Sequence, residues 1–212
     1  MAELLDTYNY QTGEFIAAID RDIVHRDALW HKTVHCWLYD KVGQVYFQMR
    51  QDEPNGNLYV TASGHLRAGE SVEAGFTREI KEEIGLSLLA SDAAESQVRE
   101  YIVDRERPDG SLYRDRAWSN VFFYQYDGPD ADFQFDTTEL AGLVKIDATA
   151  ALQLIRGEVD SVNAVSIQPA KNGKNQTRPF VVKASDFLVC PGEDAETKYG
   201  YILETVARLT TD

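Results

Sequence analysis

Three glutamates in the first half of the chain have a spacing suited to sharing a metal ion. Glu79, Glu82 and Glu83 stand at i, i+3 and i+4, so a helix would carry their side chains on one side. Like charges this close repel one another, and a hard divalent cation would remove that cost. Magnesium prefers oxygen ligands and usually binds through a few carboxylates, waters and substrate phosphates. The spacing therefore predicts a Mg²⁺ site, which Mn²⁺ could also fill; the alternative is a solvated acidic helix face.

The flanking residues predict a loop, a helix and a cap that would hold these glutamates. Ser71 is a typical N-terminal capping residue. Phe76, Ile80 and Ile84 recur at every fourth position, which gives the helix one apolar face to bury. Gly85 can adopt the left-handed conformation that ends a helix.

The whole segment from Gly64 to Leu86 fits one long pattern. GHLRAGESVEAGFTREIKEEIGL fills every position of G-x5-E-x7-R-E-U-x-E-E-x-G-U, where U is a bulky aliphatic residue. This is the signature of the Nudix hydrolases, which the chain resembles closely here. The resemblance implies that the three glutamates and the Gly64 carbonyl bind the metal and that Arg78 belongs to the catalytic set. Glu70 and Arg78 are expected to form an ion pair holding the loop against the helix, and Gly85 to end it.

The histidines resemble a narrower branch of that superfamily. His25, His31 and His35 lie within eleven residues, and His65 follows the first glycine of the pattern. In HRDALWHKTVHCWLYD and SGHLRAGE the chain resembles the isopentenyl-diphosphate isomerases, from about residue 20 to about residue 157. In that branch the histidines corresponding to His25, His31 and His65 bind a metal with two downstream carboxylates. Packing or hydrogen bonding of the histidines is the alternative to a second metal site.

The chain also departs from the isomerases. They use a cysteine two residues before the glycine of their Gly-His pair, whereas this chain has Ala62 there, followed by Ser63. Where they place two metal carboxylates, this chain has Asp115 followed by Arg116 and Ala117, so half of that site is missing. The complete acidic helix and the absent thiol favour a hydrolase over an isomerase.

Further residues are candidates for contact with the substrate. Arg50 ends a predicted strand where the resemblance places a substrate-facing basic residue, and an arginine fork suits phosphate oxygens. His31 is a second candidate for substrate binding. Glu139 is a candidate distal base or additional ligand, although other loop carboxylates compete with it. Four aromatic residues could stack on a base, but aromatics on strands are more often core: Trp30, Trp37, Tyr113 and Trp118.

Composition limits the class of protein. The chain has 212 residues, 43% of them hydrophobic, which suits one well-buried core. Its net charge of −14 argues against a nucleic-acid surface. No apolar run approaches the roughly 20 residues that span a bilayer, and the first residues lack a leader pattern, so a cytoplasmic protein is expected. Cys36 and Cys190 give no sign of a disulfide.

The order of elements predicts an α+β fold, in which a Nudix-type mixed β-sheet is sandwiched between α-helices. We expect a single Nudix domain over 1–212, with an N-terminal hairpin and lead-in (1–30), a core (31–157) and a C-terminal β/α extension (158–212). A C-terminal helix is expected to bury one face, made of Tyr201, Ile202, Thr205 and Leu209.

The predicted reaction is metal-dependent hydrolysis of a phosphoanhydride bond in a nucleoside diphosphate linked to another moiety. One alternative is isomerase activity on a prenyl diphosphate, and another is a non-catalytic sensor of nucleotide derivatives. The expected partner is a small diphosphate, with neither nucleic acid nor membrane bound. The sequence leaves the substrate, the general base, a homodimer and the role of the extension open.

Overall fold

A computed structural model of the protein describes residues 3–51, 58–106, 110–170, 173–190 and 193–211. The helices and strands are, in chain order, β1 (Leu4–Tyr8), β2 (Phe15–Asp20), α1 (Arg21–Arg26), β3 (His31–Tyr39), β4 (Gln44–Arg50), β5 (Leu58–Tyr59), β6 (Ala62–His65), α2 (Val72–Ile84), β7 (Glu95–Glu106), β8 (Leu112–Gln125), β9 (Leu140–Asp147), α3 (Ala148–Ile155), β10 (Val162–Pro169), β11 (Asn175–Val182) and α4 (Ala195–Leu209).

Nine strands form one mixed sheet in the order β11-β10-β9-β4-β3-β8-β7, with β5 beside β4 and β6 beside β3. β3 and β8 run parallel, and the other paired strands run antiparallel. β1 and β2 form the predicted N-terminal hairpin. β10 pairs with β9, so the C-terminal extension continues the sheet.

The sheet lies between helices, as the fold class predicts. One face packs against α2, whose Phe76, Ile80 and Ile84 are fully buried, so the predicted apolar face is confirmed. The opposite face packs against α3 and α4 around Trp37 and Phe47. Each face therefore has its own apolar core.

The predicted buried face of α4 is confirmed in part: Ile202 is buried, and Tyr201 and Leu209 pack against the same core but are only partly buried. The residues that the helix buries are Tyr199, Gly200, Ile202, Leu203 and Val206, while Tyr201, Thr205 and Leu209 are half-buried. The reason is Tyr199, whose ring packs edge-on against Trp37 at 6.0 Å. Its hydroxyl donates to the Leu188 carbonyl at 2.5 Å, and this anchor fixes the rotation of the helix.

Other local expectations had mixed outcomes. The lead-in expected over 21–30 contains the short helix α1, which Asp20 caps by accepting from the Asp22 N–H at 2.9 Å. The sequence Arg-Pro-Asp-Gly at 107–110 predicts a turn, and its first three residues lie outside those described. Cys36 and Cys190 are both unpaired thiols. Among the described residues, no helix is long and apolar enough to cross a membrane.

Candidate active site

Arg78 fastens the loop before α2 to the helix. Its Nε and Nη2 donate to the two carboxylate oxygens of Glu70 at 2.7 and 2.8 Å. Nη2 also donates to the His65 carbonyl at 2.9 Å, and Glu70 accepts from the Arg67 backbone N–H at 2.9 Å. The two charged side chains are only 15% and 14% exposed. The predicted ion pair is confirmed, and its two-point, shielded geometry makes it stronger than an exposed pair.

Glu83 and Glu79 are carboxylates held in surroundings that disfavour their charge. Glu83 is 8% exposed and accepts from the Ser63 N–H at 2.9 Å, and burial raises its pKa to about 8. Burial also raises the pKa of Glu79 to about 6, although Arg78 at 2.7 Å opposes that shift. A Cβ atom at Gly64 would overlap the Glu79 carboxyl group, so a larger residue there would displace that carboxylate. A cation beside these carboxylates would offset their desolvation.

Glu82 stands apart from the other two glutamates. Its side chain is 49% exposed and accepts from Arg78 Nη1 at 3.1 Å and Arg67 Nη2 at 3.3 Å. Successive helical residues are about 100° apart, so Glu82 and Glu83 project to opposite sides of Glu79. The structure therefore places Glu82 at the rim of the site, whereas the sequence pattern alone predicts three equivalent ligands.

A cleft of about 850 Å³ opens beside α2. Its lining brings together predicted residues that are distant in sequence: Arg50, Gly64, Glu79, Glu83 and Glu139. Four cationic side chains also line the cleft, namely Arg21, Arg50, Arg105 and Lys198. The cleft thus places basic groups and buried carboxylates around one space, as binding of a metal–diphosphate complex requires.

A second cluster joins four elements beside the cleft, whose lining includes His65 and Asp115. The metal-ligating atoms of His25 (α1), His31 (β3), His65 (β6) and Asp115 (β8) all lie within 4.8 Å of one another. His31 is fully buried, so the residue predicted to contact the substrate belongs to this cluster instead.

Backbone carbonyls fix the orientation of two of these imidazoles. His25 Nδ1 donates to the Arg21 carbonyl at 2.8 Å, and His31 Nδ1 donates to the Leu29 carbonyl at 3.0 Å. A carbonyl can only accept, so each Nδ1 carries a proton, and Nε2 is the nitrogen that each ring has left to bind a metal. His31 Nε2 then faces Asp115 Oδ1 at 3.3 Å, and within the described part of the chain neither atom makes a hydrogen bond. Two facing acceptors need a cation or a proton between them.

Burial keeps two imidazoles of the cluster, those of His25 and His65, in the neutral form that binds metals. It lowers the pKa of His25 to about 4 and holds that of His65 well below its usual value. The two Nε2 atoms of this pair are 3.0 Å apart. Neutral imidazole suits the borderline transition metals. Asp115 is the carboxylate of this cluster. The next residue, Arg116, forms an ion pair with Asp104 at 2.8 Å instead.

Comparison with known proteins decides the family. The NUDIX domain profile matches residues 29–168, about two thirds of the chain. The chain belongs to the Nudix family. It is 26% identical over 216 residues to an uncharacterised Nudix hydrolase of Clostridium acetobutylicum, covering 99% of this chain and 98% of that protein.

Two further relatives agree with this assignment. The uncharacterised Nudix hydrolase YfcD of Escherichia coli is 25% identical over 177 residues, which cover 82% of this chain and 91% of that protein. A solved structure from Deinococcus radiodurans, 20% identical, covers 73% of this chain and 90% of its own with a TM-score of 0.51, and shares the fold. The protein is therefore an enzyme, a Nudix-type hydrolase of diphosphate bonds.

Several residues of this Nudix enzyme's site could not be read from the signature. His35, close to the other histidines in sequence, lies instead edge-on to Tyr59 and Tyr101, at 6.3 and 5.9 Å. Lys198 and Cys190 reach the cleft from the C-terminal extension. The sequence around these two residues contains no motif that predicts a role in the site. Their position in the cleft is seen only from the way the extension packs against the rest of the chain.

Proposed function

We propose that the enzyme hydrolyses, with a bound divalent metal ion, the phosphoanhydride bond of a nucleoside diphosphate linked to another moiety. The observation that carries the proposal is the buried Glu83 and the half-buried Glu79 in the same cleft as the basic side chains Arg50 and Lys198. The desolvated carboxylates favour a hard cation, and the basic groups suit phosphate oxygens.

The chain's residues divide this task. Glu79 and Glu83 would hold Mg²⁺ or Mn²⁺ with the Gly64 carbonyl. Glu82, at the exposed rim of the site, would be a further ligand. The ion supplies charge neutralisation at the diphosphate and a more acidic water. Arg78 keeps the loop and the carboxylates in place. Glu139, which lines the same cleft, would accept the proton of the attacking water.

The histidine cluster would bind a second, borderline metal ion. The facing acceptors of His31 and Asp115 and the neutral imidazoles of His25 and His65 support this assignment. Because imidazole ligands suit zinc, manganese or cobalt better than magnesium, the two sites would differ in metal preference. This ion would stabilise the junction between α1, β3, β6 and β8.

Isomerisation of a prenyl diphosphate is the competing reaction. Ala62 occupies the position of the isomerase cysteine and is 1% exposed, and the thiol of Cys36 is buried, which raises its pKa. Cys190, in contrast, lines the cleft, so it is the thiol whose substitution tests for isomerase chemistry. A non-catalytic sensor would bind the same nucleotide derivatives without turnover.

A product assay separates the three possibilities. Nucleotides, nucleotide sugars, dinucleoside polyphosphates and isopentenyl diphosphate are each incubated with the enzyme and Mg²⁺ or Mn²⁺. Phosphate-containing products are identified by ³¹P NMR, and the position of the C=C bond by ¹H NMR, after the metal ion is removed with EDTA. We expect phosphate-bond cleavage of a nucleoside diphosphate compound, lost in Glu83→Gln and retained in Cys190→Ser. An isomerised C5 diphosphate as the sole product, lost in Cys190→Ser, would contradict the proposal, and so would binding without turnover.

A further inference from the structure

Tyr113 contacts two members of the histidine cluster in two different ways. Its ring stacks on the imidazole of His25, with the ring centroids 4.4 Å apart and the planes 18° from parallel. Its hydroxyl donates to Asp115 Oδ2 at 3.3 Å. Tyr113 and Asp115 are alternate residues of β8, so their side chains lie on the same face of the sheet. One side chain outside the four candidate ligands therefore contacts two of them.

The hydroxyl contact leaves one oxygen of Asp115 for a metal ion. Oδ1 faces His31 Nε2 at 3.3 Å, and no described residue donates a hydrogen bond to it. Oδ2, in contrast, accepts from the Tyr113 hydroxyl. Hydrogen-bond partners of this kind orient a ligating carboxylate and contribute to the affinity of a metal site. The contact therefore favours binding of an ion through Oδ1.

The ring contact acts on a ligand from another element. His25 lies on α1, where its Nδ1 donates to the Arg21 carbonyl at 2.8 Å, and the near-parallel ring of Tyr113 limits tilting of the imidazole. The Arg105 guanidinium lies over the Tyr113 ring, 4.7 Å from its centroid, and Arg105 is the residue opposite Tyr113 in the β7–β8 pairing. The orientation of His25 is thus tied to the β7–β8 hairpin.

The orientation of Asp115 matters because the cluster holds one carboxylate. Among the described residues the cluster consists of three histidines and Asp115. The next residue on the same face of β8 is Ala117, which stands beside His31 in the parallel β3–β8 pairing and offers no ligand atom. Rotation of Asp115 away from the histidines would leave an ion with neutral ligands alone.

We infer that Tyr113 is a positioning residue of the second metal site, whose hydroxyl orients Asp115 to bind through Oδ1 and whose ring holds His25 in its ligating orientation. The inference rests on the proposed function, because it takes a borderline metal ion to occupy the histidine cluster. It gives the end of the β7–β8 hairpin a role that the Nudix signature does not describe.

Zinc binding by the metal-free protein tests the inference without turnover. Zn²⁺ is titrated against a competing chelator in an excess of Mg²⁺, which occupies the carboxylate site of α2, and His65→Gln identifies the equivalent that the cluster binds. Tyr113→Phe keeps the ring and removes the hydroxyl. We expect it to raise the Kd for that Zn²⁺ about 10- to 100-fold, the usual effect of removing a partner that orients a ligand. Tyr113→Leu, which also removes the ring, should weaken binding at least as much.

The visible spectrum of bound Co²⁺ separates positioning from general destabilisation. The spectrum depends on the ligands and geometry of the ion, so Tyr113→Phe should shift it while the metal-free variant stays folded in thermal unfolding. Tyr126→Phe is the matched control, because it removes a hydroxyl that donates to another carboxylate, Asp132 Oδ2, at the same distance of 3.3 Å. It should keep the wild-type zinc affinity and Co²⁺ spectrum. If Tyr113→Phe does not fold, Tyr113→Leu decides.

Wild-type zinc affinity or an unshifted Co²⁺ spectrum in the folded variant would overturn the inference. An equal loss of affinity in Tyr126→Phe would also overturn it, because the effect would then not depend on contact with the cluster. Zinc binding that His65→Gln leaves unchanged would contradict the second metal site and this inference with it. Failure of hydrolysis is separate: a protein that binds Zn²⁺ in this Tyr113-dependent way and cleaves no diphosphate compound would contradict the proposed reaction alone.

Discussion

At the scale of single residues, the glutamates of α2 differ in how far they are buried. Glu83 is almost fully enclosed and touches a backbone N–H, whereas Glu82 is half exposed and shares two arginines. A charge in the first setting gains more from a bound cation than one in the second, because water already screens the exposed group.

Substitution of Glu83 by glutamine should lower kcat by at least about a hundredfold, because the amide keeps the shape of the side chain but cannot carry the charge. Steady-state hydrolysis of the best substrate measures the effect. Glu73→Gln, an exposed position on the same helix, is the control and should retain activity. Turnover of Glu83→Gln at the wild-type rate would be inconsistent with a metal ion at this carboxylate.

The metal site proposed in the histidine cluster predicts that removal of one of its ligands lowers the number of bound metal ions by one. Equilibrium dialysis with Zn²⁺ should give one equivalent less for His65→Gln than for the wild type, because one of the four ligands is removed. His35→Gln, at a half-buried histidine outside the cluster, should keep the wild-type stoichiometry. Saturating metal at about 100 Kd should stabilise the wild type by about 2.7 kcal/mol. Identical stoichiometry in both variants would rule out a metal ion bound there.

At the scale of elements, the sequence predicts what local signals determine. Ser71 accepts from the Ala74 N–H at 3.2 Å, and Gly85 ends α2 with a φ of +78°, both as expected. The helix and its clamp follow from residues within some twenty positions of one another, so the pattern was sufficient.

Packing between distant segments was not predictable in the same way. The face of α4 is set by Tyr199 against the sheet, and the short helix α1 forms where its Val24 and His25 become buried. Apolar periodicity leaves such rotations undetermined, because neighbouring stripes of α4 are nearly as apolar as each other. Lys198 reaches the cleft only through this arrangement.

The observed face of α4 gives a stability prediction. Leu203→Ala should lower the free energy of unfolding by about 2 to 5 kcal/mol, since it leaves a cavity in a fully buried site. Leu209→Ala, on the stripe expected from the sequence, should cost less because Leu209 is half-buried. Urea denaturation of both variants makes the comparison. A larger loss for Leu209→Ala would restore the face that periodicity predicts.

At the scale of the whole molecule, the overall charge does not favour an anionic substrate. The chain carries a net charge of −14, and the four cationic side chains of the cleft share its lining with six carboxylates. The proposed function therefore needs a bound cation as well as these basic groups to attract a diphosphate. The C-terminal extension, through β10, β11 and α4, completes the sheet and supplies one of those cations.

The most direct measurement of the central claim follows oxygen from water into the product. Reaction of nucleoside diphosphate compounds in H₂¹⁸O with Mg²⁺ or Mn²⁺, analysed by mass spectrometry, should place one ¹⁸O atom on a phosphate of the product. Incorporation should cease with EDTA and in Glu83→Gln. Label-free product, labelling that persists without metal, or turnover restricted to isopentenyl diphosphate with its diphosphate intact would contradict metal-dependent hydrolysis at this site.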